Sequence, residues 1–83
     1  MKEPIRILIT DDHPVVRDGL VAILSTQPDF VVVGEAGNGA ELLAKVKETR
    51  PHIVLLDLEM PGVDGVEALR RLRAAGETVR VII

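Results

Sequence analysis

Cysteine is absent from the 83 residues, so disulfides and thiolate metal sites are excluded. Aromatic rings are almost absent: Phe30 stands alone, and any core must be built from Val, Ile and Leu. No apolar run approaches the roughly 20 residues that a membrane-spanning helix needs. Met1 to Pro4 is short and polar, and the apolar run after it contains Arg6 and stops at two aspartates, unlike a secretory leader. A cytoplasmic location is therefore the default expectation. Nor is there an excess of positive charge. Ten Lys and Arg face thirteen Asp and Glu, a net charge of −3, which argues against phosphate-backbone binding by this segment.

What is present has the composition of one globular domain, 47% hydrophobic and 28% charged. Ile5 to Thr10 is a β-branched run suited to a strand buried on both faces of a parallel sheet. Asp11-Asp12 ends it. His13-Pro14 opens a helix, with Pro14 at its first position. Val16, Leu20, Ile23 and Leu24 form one apolar stripe along that helix. Gly19 lies inside it at a cost of about 1 kcal/mol against Ala, which a close packing contact would explain. Phe30 to Val33 is a second strand, with Ala36 the furthest residue it could include. Asn38 and Glu41 have capping-box spacing, and the helix they open points Leu42, Leu43 and Val46 to a core. Arg50-Pro51 stops it.

Ile53 to Leu56 is a third strand, wholly apolar, running straight into Asp57. Pro61-Gly62 suits the centre of a type II turn. Asp64 and Glu67 repeat the capping-box spacing, and Val66, Leu69 and Leu72 form the stripe of a third helix. Gly76 fits the position just past its end. Val79 to Ile83 is a fourth strand. Strands alternating with helices imply an α/β fold, a parallel sheet with helices on both faces.

Three carboxylates stand at strand ends: Asp11 and Asp12 after the first strand, Asp57 after the third. In an open α/β sheet, ligands bind beyond the carboxyl ends of the strands, where the strand order reverses. An order of 2-1-3-4 puts that point between the first and third strands and brings the acids into one crevice. Clustered carboxylates repel, and a hard divalent cation resolves the conflict. Mg2+, which takes carboxylates, waters and phosphate oxygens, suits this cluster better than Zn2+. A carboxylate beside such an ion can attack phosphorus and become an aspartyl phosphate. The plain rival is that Asp11 and Asp12 only cap a helix. That explanation fits Asp57 less well, because it ends an apolar strand and is followed by Leu58, Glu59 and Met60. His13 is better explained as a helix cap, and His52 as a strand start, than as metal ligands. The spacing of Gly34, Gly37 and Gly39 does not fit a dinucleotide loop.

The stretch Ile-Leu-Ile-Thr-Asp11-Asp12-His13-Pro14, followed by Val-Leu-Leu-Asp57-Leu-Glu-Met60-Pro61-Gly62-Val-Asp64-Gly65, resembles a bacterial response-regulator receiver domain. Asp-Asp-His-Pro and Val15-Val16-Arg17 are similar to the NarL/FixJ-type branch, whose members usually carry a C-terminal helix-turn-helix. The resemblance implies a flavodoxin-like (CheY-like) sheet of order 2-1-3-4 and a two-component switch rather than a turnover enzyme. It implies Asp57 as phosphoacceptor and Asp12 as a direct Mg2+ ligand. Asp11 would act directly or through water, and Glu59 through its backbone carbonyl. Met60 and Pro61 would shape the loop. The implied donor is a sensor histidine kinase, and DNA would be reached only through an output domain that these residues do not include.

On the same resemblance, residues 1–83 correspond to the N-terminal part of a receiver, without its fifth strand and last two helices. The Ser or Thr and the Lys that flank the phosphoryl group would be lost with them, so weak phosphorylation is expected. The fourth strand would become an exposed edge, and a homo-oligomer through that edge is expected. Two other readings are a fragment whose main property is self-association and a Mg2+-dependent phosphohydrolase with Asp57 as nucleophile. The second is disfavoured by Glu59, which stands where such enzymes commonly place a second Asp.

Overall fold

A computed structural model describes residues 3–57 and 65–83. Glu59, Met60, the Pro61-Gly62 turn and the Asp64 cap lie outside the described residues. The elements run β1 (Ile5–Thr10), α1 (Pro14–Leu24), β2 (Phe30–Ala36), α2 (Gly39–Thr49), β3 (Ile53–Leu56), α3 (Gly65–Ala74) and β4 (Arg80–Ile82). The strands form one parallel sheet in the order β2-β1-β3-β4, as expected. β2 takes its full length to Ala36, and β4 is trimmed to three residues.

Strand alternation sorts the sheet into two faces. Leu8, Val54 and Leu56 join Ala36, Leu42, Val46, Ala68 and Leu72 in a cluster under α2 and α3. Gly34 lets this face close: a Cβ there would sit 3.2 Å from Leu8 Cδ1. Ile7 and Ile9 are also buried but lie outside that cluster. Ile9 shares a hollow with Leu20 of α1, which places α1 over the opposite face.

The apolar stripe of α1 is largely uncovered, and the buried stripe expected of α3 is corrected. No residue of α1 is fully buried: Val16 is 46% and Ile23 65% exposed, while Leu20 and Leu24 are half-buried. α1 is the only described helix over its face, so the sheet covers just one side of its stripe. In α3 the buried stripe is Ala68 and Leu72 with Leu69 partly covered, and Val66 is 53% exposed. Nothing lies within 4 Å of a Cβ built at Gly19, so the expected packing contact there is absent.

The helix ends follow their residues. Asn38 Oδ1 accepts the Glu41 N–H at 2.9 Å, while Glu41 Oε1 accepts from the Gly37 N–H at 2.9 Å. The glutamate thus reaches one residue further back than a standard capping box. Gly76 has φ 83, the Glu77 N–H donates to the Leu72 carbonyl and the Gly76 N–H to the Arg73 carbonyl. That pattern is a Schellman end and needs the left-handed residue that glycine supplies.

Candidate phosphoacceptor and metal site

The parallel register carries the acids to one rim. Thr10 pairs with Ala36 on one side and Leu56 on the other, so Asp11 and Asp57 leave neighbouring strands at the same level. Their backbones are tied to the sheet. The Asp57 N–H donates to the Thr10 carbonyl and the Asp11 N–H to the Ala36 carbonyl, both at 3.0 Å. Ligand atoms of Asp11, Asp12, His13 and Asp57 all lie within 4.8 Å of one another. The three aspartates are half-buried and His13 is exposed.

Asp11 does part of the work of a helix cap. Its Oδ1 accepts the His13 N–H at 2.9 Å and lies 2.8 Å from His13 Nδ1. His13 occupies the N-cap position of α1, but its side chain caps nothing and instead turns back onto the acids. The hydrogen bond to Asp11, and then the charge of Asp12, raise the His13 pKa above its ordinary 6.5. Asp12 Oδ1 lies 3.0 Å from His13 Nδ1 as an ion-pair contact, yet it is buried and accepts no hydrogen bond.

Arg17 entered the sequence reading only as part of Val15-Val16-Arg17, with no role at the site. Its Nη1 donates to the Asp11 carbonyl at 2.7 Å, and its Nε reaches Glu35 at 3.3 Å. One turn into α1, it braces the Asp11 backbone against β2. The available signal was its place just beyond Pro14 in an otherwise apolar turn. His52, the other histidine, lies just before β3, and its Nδ1 accepts the Arg6 N–H at 2.9 Å.

The donor set fits a small hard cation. It offers three carboxylates, and the buried Asp12 Oδ1 accepts no hydrogen bond and has only the His13 ring nitrogen, at 3.0 Å, to offset its charge. Exposed acids alone would not make that case. Three half-buried carboxylates whose ligand atoms lie within 4.8 Å of one another do.

The response regulator receiver domain family matches residues 7–83. The chain belongs to that family. This receiver is 42% identical over 82 residues to the nitrate/nitrite response regulator protein NarL of Escherichia coli, covering 99% of this chain and 38% of the relative. It superposes with TM-score 0.90 on the signal receiver domain of the putative response regulator NarL from Mycobacterium tuberculosis. That match has 40% identity and covers 96% of this chain and 64% of the other. A chain in the complex of the P1 domain of CheA3 with CheY6 from R. sphaeroides matches with TM-score 0.81 and 34% identity, over 96% of this chain and 62% of that one. The receiver described here thus spans 38% of the length of its NarL relative. It is a receiver of the NarL/LuxR-type regulators, with a CheY-like fold. No described helix is long and apolar enough to cross a membrane.

Proposed function

We propose that this receiver accepts a phosphoryl group on Asp57, with Mg2+ held by Asp11, Asp12 and Asp57, as the input half of a cytoplasmic two-component regulator. The convergence of these three carboxylates within 4.8 Å carries the reading. A bound Mg2+ would neutralise charge on the transferring group. The protein's own residues do the positioning. The Thr10 carbonyl holds the Asp57 backbone at the end of β3, and Arg17 holds that of Asp11. Asp57, the acid at the end of the apolar β3, would act as the nucleophile: an oxygen of its carboxylate bonds to phosphorus as the donor's phosphorus–leaving-group bond breaks. The Glu59 carbonyl would complete the ligand set.

The donor would be a sensor histidine kinase. DNA would be reached through an output domain. The residues following position 83 in a complete receiver would supply the other groups around the phosphoryl oxygens, so the 83-residue chain should react slowly. The open edge of β4 would pair with a second copy of the chain. The phosphohydrolase reading has no observation in its favour.

Intact-mass measurement after incubation with an acyl phosphate and Mg2+ tests the reading. One added phosphoryl group per chain, slow and partial, is expected, with none in Asp57→Asn. Equal modification of that variant would remove Asp57 from the role.

A further inference from the structure

At the opposite end of the sheet from the acids lies a cleft of about 870 Å³, between the α2–β3 and α3–β4 connections. Its walls are apolar low down, where Val46, Ile53 and Val79 contribute, and mainly cationic at the rim, where Lys47, Arg50 and Arg80 stand exposed against one half-buried acid, Glu77. Among the described residues these three cations make no ion pair.

Both connections are held open by arginine clamps. The Arg6 guanidinium donates twice to the Arg50 carbonyl, at 3.1 and 2.8 Å. Arg73 Nη1 donates to the Glu77 and Val79 carbonyls at 3.0 and 2.7 Å. Arg50 itself has φ 47, the only positive φ at a non-glycine residue among those described. A left-handed arginine is strained, and it persists only where its surroundings hold it. Glycine would relieve that strain but would remove a cation from the rim.

We propose that this cleft is a docking site for an acidic peptide segment of a partner protein, one whose carboxylates are interspersed with aliphatic side chains. Carboxylates would meet Lys47, Arg50 and Arg80, and aliphatic side chains would settle on Val46, Ile53 and Val79. The cleft is too large for a single small anion and holds several side chains. Nucleic acid fits it poorly: the chain carries net charge −3, and the cleft has no Phe, Tyr or Trp for base stacking. The cleft does not overlap the acid rim, so a docked segment leaves Asp11, Asp12 and Asp57 accessible.

The test is a titration of the 15N-labelled 83-residue chain at low salt with a twelve-residue peptide of Glu, Leu and Gly. The same peptide with Gln for Glu, and a single-stranded oligothymidine of twelve residues, are the other two arms. The acidic peptide should move the amides of residues 46–53 and 76–80 saturably and leave those of Asp11 and Asp57 in place. The double variant Lys47→Glu with Arg80→Glu should weaken binding about tenfold, as the loss of two exposed charge pairs would give. Its unfolding midpoint, measured alongside, should match that of the parent chain. No shift at the cleft, equal shifts with the Gln peptide, equal shifts with the oligonucleotide, or unchanged affinity in the folded double variant would each overturn the proposal.

Discussion

Thr10 is the one fully buried polar side chain among the described residues, and its hydroxyl has no hydrogen-bond partner. Valine has the same shape and favours strands at least as well. Thr10→Val should therefore raise unfolding stability by about 1 kcal/mol, the cost of an orphaned hydroxyl. Chemical denaturation checks it, and a loss of stability would mean the hydroxyl is paired in solution. His13 provides a second residue-scale expectation. Its raised pKa means that its contribution to stability is full below pH 6.5 and fades as the pH climbs through the folded value. An NMR titration should place its midpoint above 6.5 and move it back toward 6.5 in Asp11→Asn, because Asp11 is the larger cause. At this scale the sequence was partly legible. The acids stood out because they end apolar strands. Arg17 and the turn of His13 onto the acids did not, because both depend on how α1 leaves the sheet.

Elements were more legible than faces. The strands and helices follow from runs of Val, Ile and Leu, from Asn38, and from Gly76 and Arg50-Pro51, whose effects are local. Which residues of a helix are covered depends on what lies beside it. The α1 stripe was read only as an apolar face, because periodicity marks such a face without saying what covers it. Val16 and Ile23 are apolar, on the expected helix, and exposed. The β4 edge belongs to this scale too. Among the described residues β4 is the outermost strand, with Ile82 53% and Ile83 74% exposed. On the proposed edge pairing, a parallel edge with apolar side chains would recruit another strand. Light scattering of the 83-residue chain at micromolar concentration should show a dimer or larger species, and a monodisperse monomer would contradict edge pairing.

For the whole molecule, four parallel strands joined by helices place chemistry at one end of the sheet. β1 and β3 are neighbours although α1, β2 and α2 separate them in sequence, and that crossing brings Asp57 to Asp11 and Asp12. The topology was legible because a βαβ chain has few right-handed, unknotted ways to close. The opposite, basic end was not legible: Arg80 lies 30 residues beyond Arg50 in sequence, and only the fold brings it to Lys47 and Arg50. The net charge of −3 hides this division between acidic and basic ends.

The most direct test of the central claim is a Mg2+ titration of the 83-residue chain followed by amide NMR, beside Asp12→Asn and Asp57→Asn. Three carboxylates sharing one cation predict saturable binding at one site, shifts centred on residues 10–13 and 57, and a large loss of affinity in both variants. Binding that never saturates, or that survives the loss of Asp57 unchanged, would show that the acids meet without forming a site.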